Sequence, residues 1–445
     1  MSLLLLTVPL LPWLLALGLV SDSVYRKANW LIPCAALPAL AVSALFPSGT
    51  SMDLPWLLLG SSLGIETPVQ LFLALMGAVW LGVALVVGSG FHDKTGRRLA
   101  IFYLLAMGGS LGLILARDPW LFFFFASVSG YALYGLILHQ GSDEARKAGR
   151  RYLVVLILGD LLLFEVLVTL AAEGGDFSTL HQAMTNPDSR DLLVGLVLVG
   201  FAVKAGLFPL HLWAPLAYRA VPVALLPLLL AYQFGQGVLG WIYWLPLGEV
   251  ALPTWGFSMQ VVGVASLLFG LLVGMGQVRA RSILAYISVA LAGLVIFAMG
   301  RVLEQPDSWP MMPEMLYFVV PTTVCGMTIL WLMACKISPL RCWLNSRLNG
   351  WSARRDNILR KLPDIPLAFL RPGIRWLNFI TNRIHTTVMV RLPTQRDLFL
   401  TWIGRKWLAV DWERTLNSLE SQLGQWSVAI SFLVLLGGAI AVLAL

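Results

Sequence analysis

Runs of about twenty apolar residues recur along this chain, and a chain built that way has few folds open to it. In lipid every backbone N–H and C=O must be satisfied inside the protein, so runs of this length become membrane-crossing helices. Twelve candidate spans are predicted, at about 2–20, 29–46, 68–90, 99–116, 119–139, 152–172, 193–213, 220–245, 256–276, 282–300, 314–335 and 426–445. Apolar residues make up 58% of the 445 and charged residues 12%, where a soluble domain carries about 25% charged. The predicted fold class is an all-α polytopic membrane protein with broken helices and a long amphipathic cytoplasmic-surface segment before the last span.

The loops alternate in charge. Loop 47–67 holds Asp53 and Glu66 and no base, loop 91–98 holds Lys94, Arg97 and Arg98 against Asp93, and loop 173–192 is acidic again. Lys and Arg favour the cytoplasmic side, which places both termini outside. The first run, Leu3 to Val20, has no positive n-region and no small-x-small cleavage site before Asp22, so it is read as a retained span. Cys34, Cys325, Cys335 and Cys342 form no CxxC pair and are read as apolar filler or free thiols. No metal or cofactor motif is found.

Segment 336–425 carries fifteen Lys and Arg against six Asp and Glu, an excess that accounts for the whole net charge of +8. Trp343, Trp351, Trp376, Trp402, Trp407 and Trp412 are spread through it. Tryptophan with snorkelling arginine reads as amphipathic helices on a layer of anionic lipids, and nucleic acid is not the expected partner. The plainer reading is a basic linker obeying the charge rule.

One charge lies deep inside a span. Lys204 sits in GLVLVGFAVKAGLFPLHLWAPLAY, residues 195–218. A charged group at the bilayer centre costs at least ~2.5–3.5 kcal/mol, so it faces protein or water and is by default functional. Pro209 removes an intrahelical bond and is expected to break the helix, with Pro215 following. A continuous helix would align Lys204 with His211. A lysine, a broken helix and a histidine together suggest a hydrated proton or ion path. His211 is read equally as a relay or as a hydrogen-bond donor closing the break. Asp160 and Glu165, in RYLVVLILGDLLLFEVLVTL (151–170), are the nearest acids for Lys204. Five residues set them about 140° apart, so both cannot point at one lysine.

These residues carry a resemblance. VKAGLFPLHLWAPLAY resembles the signature helix of the antiporter-like subunits of respiratory complex I, membrane-bound hydrogenases and multi-subunit Na+/H+ antiporters, on Lys204, Ala205, Gly206, Pro209, His211, Trp213, Pro215 and Ala217. Pro222-Val223-Ala224 and RARSILAYISVALAGLVI (279–296) resemble two further segments of that family. The resemblance covers residues 68 to 300. It implies a proton path through Lys204, His211, Asp160 or Glu165, with breaks at Pro209 and Pro215, in a bacterial cytoplasmic membrane beside other membrane subunits and a cytoplasmic partner subunit. The family's fifth-span glutamate is missing; Ala126 and Ser127 stand where its Trp and Glu align.

The organisation expected is an N-terminal two-helix region (1–67), an antiporter-like core (68–300), an eleventh span (301–335), a basic lateral segment (336–425) and a C-terminal anchor (426–445). The function expected is proton conduction within a complex I-related assembly. Two rivals keep the family: the membrane subunit of an inorganic carbon uptake complex with a cytoplasmic zinc partner, and a non-transporting scaffold. An independent secondary transporter of small solutes is the remaining reading.

Overall fold

The computed structural model describes residues 3–336, except 59, 92–95, 172–175, 278 and 312–314. The segment 337–425 and the span 426–445 lie outside the described residues. Helix α1 (Leu3–Gly18) and the short α2 (Asp22–Tyr25), α3 (Ala28–Cys34) and α4 (Leu37–Leu45) lead into a hairpin, β1 (Thr50–Leu54) with β2 (Ser61–Ile65). Four helices follow, α5 (Thr67–Val87), α6 (Gly96–Leu115), α7 (Pro119–Ile137) and α8 (Asp143–Leu170). After α9 (Phe177–Ala183) come α10 (Pro187–Ala205), α11 (Ala214–Ala220), α12 (Leu226–Tyr232) and α13 (Leu239–Trp244). The described chain closes with α14 (Pro253–Gly276), α15 (Ala280–Glu304) and α16 (Val320–Lys336).

Eight helical segments among the described residues are long and apolar enough to cross a membrane, and Leu3–Gly18, Trp30–Leu45 and Val320–Ile329 are shorter apolar helices. The protein is an all-α polytopic membrane protein. Helix α8 begins at Asp143 because Ser142 caps it, its hydroxyl accepting from Ala145 N at 3.1 Å. Arg146, Lys147, Arg150 and Arg151, which lie between the predicted spans 119–139 and 152–172, therefore sit in its first turns.

The hairpin lies in the loop between the second and third spans, where the sequence reading placed no strand. Its pairing runs antiparallel from Thr50 opposite Ile65 to Leu54 opposite Ser61. Asp118, buried between α6 and α7, fastens it. Its carboxylate accepts from Ser61 Oγ (3.1 Å), Ser62 N (3.0 Å) and Leu121 N (2.8 Å), so one side chain caps α7 and holds β2. Burial pushes this carboxyl above the ordinary carboxylate range while those hydrogen bonds pull it down. A raised acid contributes most below its ordinary pKa, and the contribution declines as pH rises through the raised value. Asp118→Ala removes a cap, takes the acceptor from Ser62 N and leaves Ser61 Oγ with Leu58 O alone. It is expected to cost about 1–3 kcal/mol, measured by thermal unfolding in detergent, with the deficit narrowing as pH rises.

Helices α14 and α15 pack through glycine. Gly256, Gly263 and Gly270 recur every seventh residue on α14. A Cβ on them would fall 2.6 Å from Gly300 O, 2.7 Å from Gly293 O and 2.6 Å from Tyr286 O of α15. Without a hydrophobic driving force between helices in lipid, small residues that let backbones touch supply the attraction.

Candidate functional site

The site is assembled where α8, α10 and the middle of the α12–α13 span meet. Helix α10 ends at Ala205, four residues before Pro209. Gly206 adopts a left-handed conformation (φ +67°). Leu207 N donates to Ala202 O (3.0 Å) and Gly206 N to Val203 O (3.3 Å), the double closure of a Schellman cap. The break thus starts at Gly206, whose missing Cβ permits that conformation, and Pro209 stands inside it. Leu210–Trp213 form one tight turn. Pro215 lies in the first turn of α11, where no intrahelical donor is needed; it starts a helix and is not a second break.

The backbone freed by the break finds side-chain partners. Ala205 O accepts from Gln233 Nε2 (3.1 Å), and Val203 O accepts from Trp213 Nε1 (2.8 Å). Phe208 N donates to Ser266 Oγ on α14 (3.2 Å). Gln233 opens a π-helical stretch, Gln233–Val238, between α12 and α13. Within it Gly237 lies so close to α10 that a Cβ would fall 2.6 Å from Ala205 N. Tyr218 Oη donates to Gln233 Oε1 at 2.7 Å, so one amide joins α11 to the end of α10.

Lys204 stands in the last turn before the break, and its side chain is wholly enclosed. Its Nζ lies 2.5 Å from Asp160 Oδ1. A close helix crossing brings the two together. A Cβ on Gly159 would fall 3.2 Å from Gly200 O, and one on Gly200 would fall 2.7 Å from the Leu163 side chain. Gly159 precedes Asp160, and Gly200 lies one turn before Lys204, so these glycines set the approach that the ion pair needs. Ser127 Oγ lies 3.4 Å from Asp160 Oδ2. The residue aligned with the family's absent glutamate therefore touches the acid that pairs with the lysine.

Glu165 is not part of this cluster. It is exposed on the outer face of α8, where the 140° separation puts it. His211 is buried but turned away from Lys204. Its ring sits 4.6 Å from Phe269, 5.7 Å from Phe208 and 6.3 Å from Tyr286, centroid to centroid, and Nδ1 has no partner among the described residues. Lys204 faces α8; His211 faces α14 and α15. Gln233 proves to hold the break, while both amide atoms of Gln236 are buried without a partner among the described residues.

Residues 116–325 match the family described as NADH:quinone oxidoreductase/Mrp antiporter, transmembrane. Subunit N of the NADH-quinone oxidoreductase of Ectopseudomonas mendocina is 27% identical over 237 residues, 51% of this chain and 47% of that protein. Hydrogenase-4 component B of Escherichia coli is 22% identical over 215 residues, 47% of this chain and 32% of that protein. The chain thus spans less than half the length of these relatives. A chain of the Mrp complex from Dietzia sp. superposes with a TM-score of 0.61 at 20% identity, covering 75% of this chain and 63% of that one. At that identity the likeness is one of fold.

Proposed function

We propose that this chain, whose residues 116–325 match the NADH:quinone oxidoreductase/Mrp antiporter transmembrane family, is a proton-conducting membrane subunit of a multi-subunit assembly, with Lys204 as its titrating group. The observation that carries this reading is the enclosed Lys204–Asp160 pair at a helix break. Ammonium and carboxylate together carry no net charge. Gaining or losing one proton changes the charge at the break by one, in a place where a single charge is costly. The break supplies the other requirement, because its backbone is held by side chains that water can replace. Gln236, with both amide atoms unpartnered among the described residues, is a place for such water.

In this reading Asp160 does the work that a fifth-span glutamate does in the resembling family, and Ser127 positions it. The cytoplasmic partner, the bacterial inner membrane, the outside termini and lipid contacts at 336–425 belong to the same proposal. A scaffold without transport is the second reading, favoured by the serine at position 127. The experiment is pH-jump proton uptake into proteoliposomes holding the purified native complex, wild type against Lys204→Ala, with subunit composition checked first. Flux falling to background in an intact complex is expected. Unchanged flux would assign the chain to scaffolding.

A further inference from the structure

The Glu165 carboxylate has no hydrogen bond or ion pair among the described residues, and the residue is exposed on a membrane-spanning helix among apolar neighbours. Leu161 (58% exposed), Phe164 (45%) and Val168 (50%) surround it on the same face of α8. Phe164 continues that face onto α7, its ring 6.1 Å from Phe123. A carboxylate facing hydrocarbon is costly and takes a partner or a cavity. The two bases of the neighbouring helix α10 are engaged elsewhere. Lys204 is held by Asp160, and Arg190, the base at the start of α10, is paired with Asp191 at 3.5 Å.

Position narrows the partner. Glu165 lies five residues before Leu170, about 7.5 Å from that helix end, and twenty-two residues from Asp143, about 33 Å from the other. The basic turns of α8 belong to the far end of the helix. A second copy meeting this face by a two-fold axis would set Glu165 against Glu165, which repels.

We propose that the Leu161–Phe164–Glu165–Val168 face of α8 is the docking surface for a membrane-spanning helix of a different subunit, one that places a Lys or Arg against Glu165. The inference rests on this chain being a subunit of a larger membrane assembly, but not on Lys204 conducting. An apolar face gives the contact its area, and the buried ion pair gives it register and choice of partner.

The test uses the native complex with the photoreactive residue p-benzoylphenylalanine at position 164, and adduct peptides are identified by mass spectrometry. The expected adduct is a membrane-spanning peptide of another subunit, carrying Lys or Arg within a turn or two of the linked residue. Glu165→Lys is expected to lower recovery of that subunit with this chain at least about tenfold. Reversing the partner's base to Glu should restore it. Glu165→Gln, which keeps the shape, is expected to lower recovery less and so separates lost pairing from misfolding. Adducts to lipid alone, adducts between two copies of this chain, or undiminished recovery of Glu165→Lys would each overturn the proposal. Proton uptake, measured on the same preparations, reports separately on Lys204.

Discussion

Asp160→Leu alone is expected to destabilise the protein by about 3–5 kcal/mol, because it leaves the Lys204 ammonium enclosed and uncompensated. Lys204→Met alone leaves the mirror-image problem and should cost a similar amount. The double variant, Lys204→Met with Asp160→Leu, removes both charges and fills the space with apolar atoms. It is expected to recover most of the loss, since buried pairs replaced by apolar residues are often neutral or better. Thermal unfolding of the three variants in detergent gives the coupling directly. The geometry makes the coupling large: the contact is 2.5 Å, the lysine side chain is fully enclosed, and among the described residues the only other side chain on the carboxylate is Ser127 at 3.4 Å. All three variants should lose proton uptake. A double variant that is stable yet silent would separate the pair's part in transport from its part in folding. Additive losses across the cycle would mean that the two charges do not depend on each other.

The second large effect lies away from the charges. Gly263→Leu places a branched side chain where a single Cβ would already fall 2.7 Å from Gly293 O. Backbone cannot yield as a flexible side chain can, so α14 must separate from α15. Overpacking of well-packed interiors costs about 1–3 kcal/mol, and here the loss extends along the seven-residue repeat. The separation would also pull Ser266 from Phe208 N and Phe269 from His211. Gly263→Leu is therefore expected to lower yield and melting temperature sharply. Val264→Leu, next to it on the exposed side of α14, should be silent in the same assays.

What the sequence discloses follows the physics of each feature. Span positions are legible because hydropathy over twenty residues is a property of the segment itself. The separation of Asp160 from Glu165 is legible because helix geometry alone fixes it. Pairing Lys204 with Asp160 needs Gly159 and Gly200, visible as letters but meaningful only once two helices cross. The hairpin escapes because its strands alternate weakly and depend on Asp118, more than fifty residues away. His211 escapes for a similar reason: its neighbours Phe269 and Tyr286 come from α14 and α15. The exact start of the break belongs to Gly206, while attention falls on the proline three residues later.

The broken helix has a consequence for how it can move. An intact helix opens only by surrendering its own repeating ladder, and neighbouring turns fray with it. Between Ala205 and Ala214 the ladder is replaced by three separate stitches, from Gln233, Trp213 and Ser266. Each is an ordinary side-chain hydrogen bond worth about 1 kcal/mol net. They belong to the π-helical stretch, to the broken segment and to α14, so thermal agitation can undo one while two hold. In the proton-conducting reading proposed above, this lets water enter stepwise beside Lys204 while α10 and α11 stay wound, so that wetting and drying of the segment cost little.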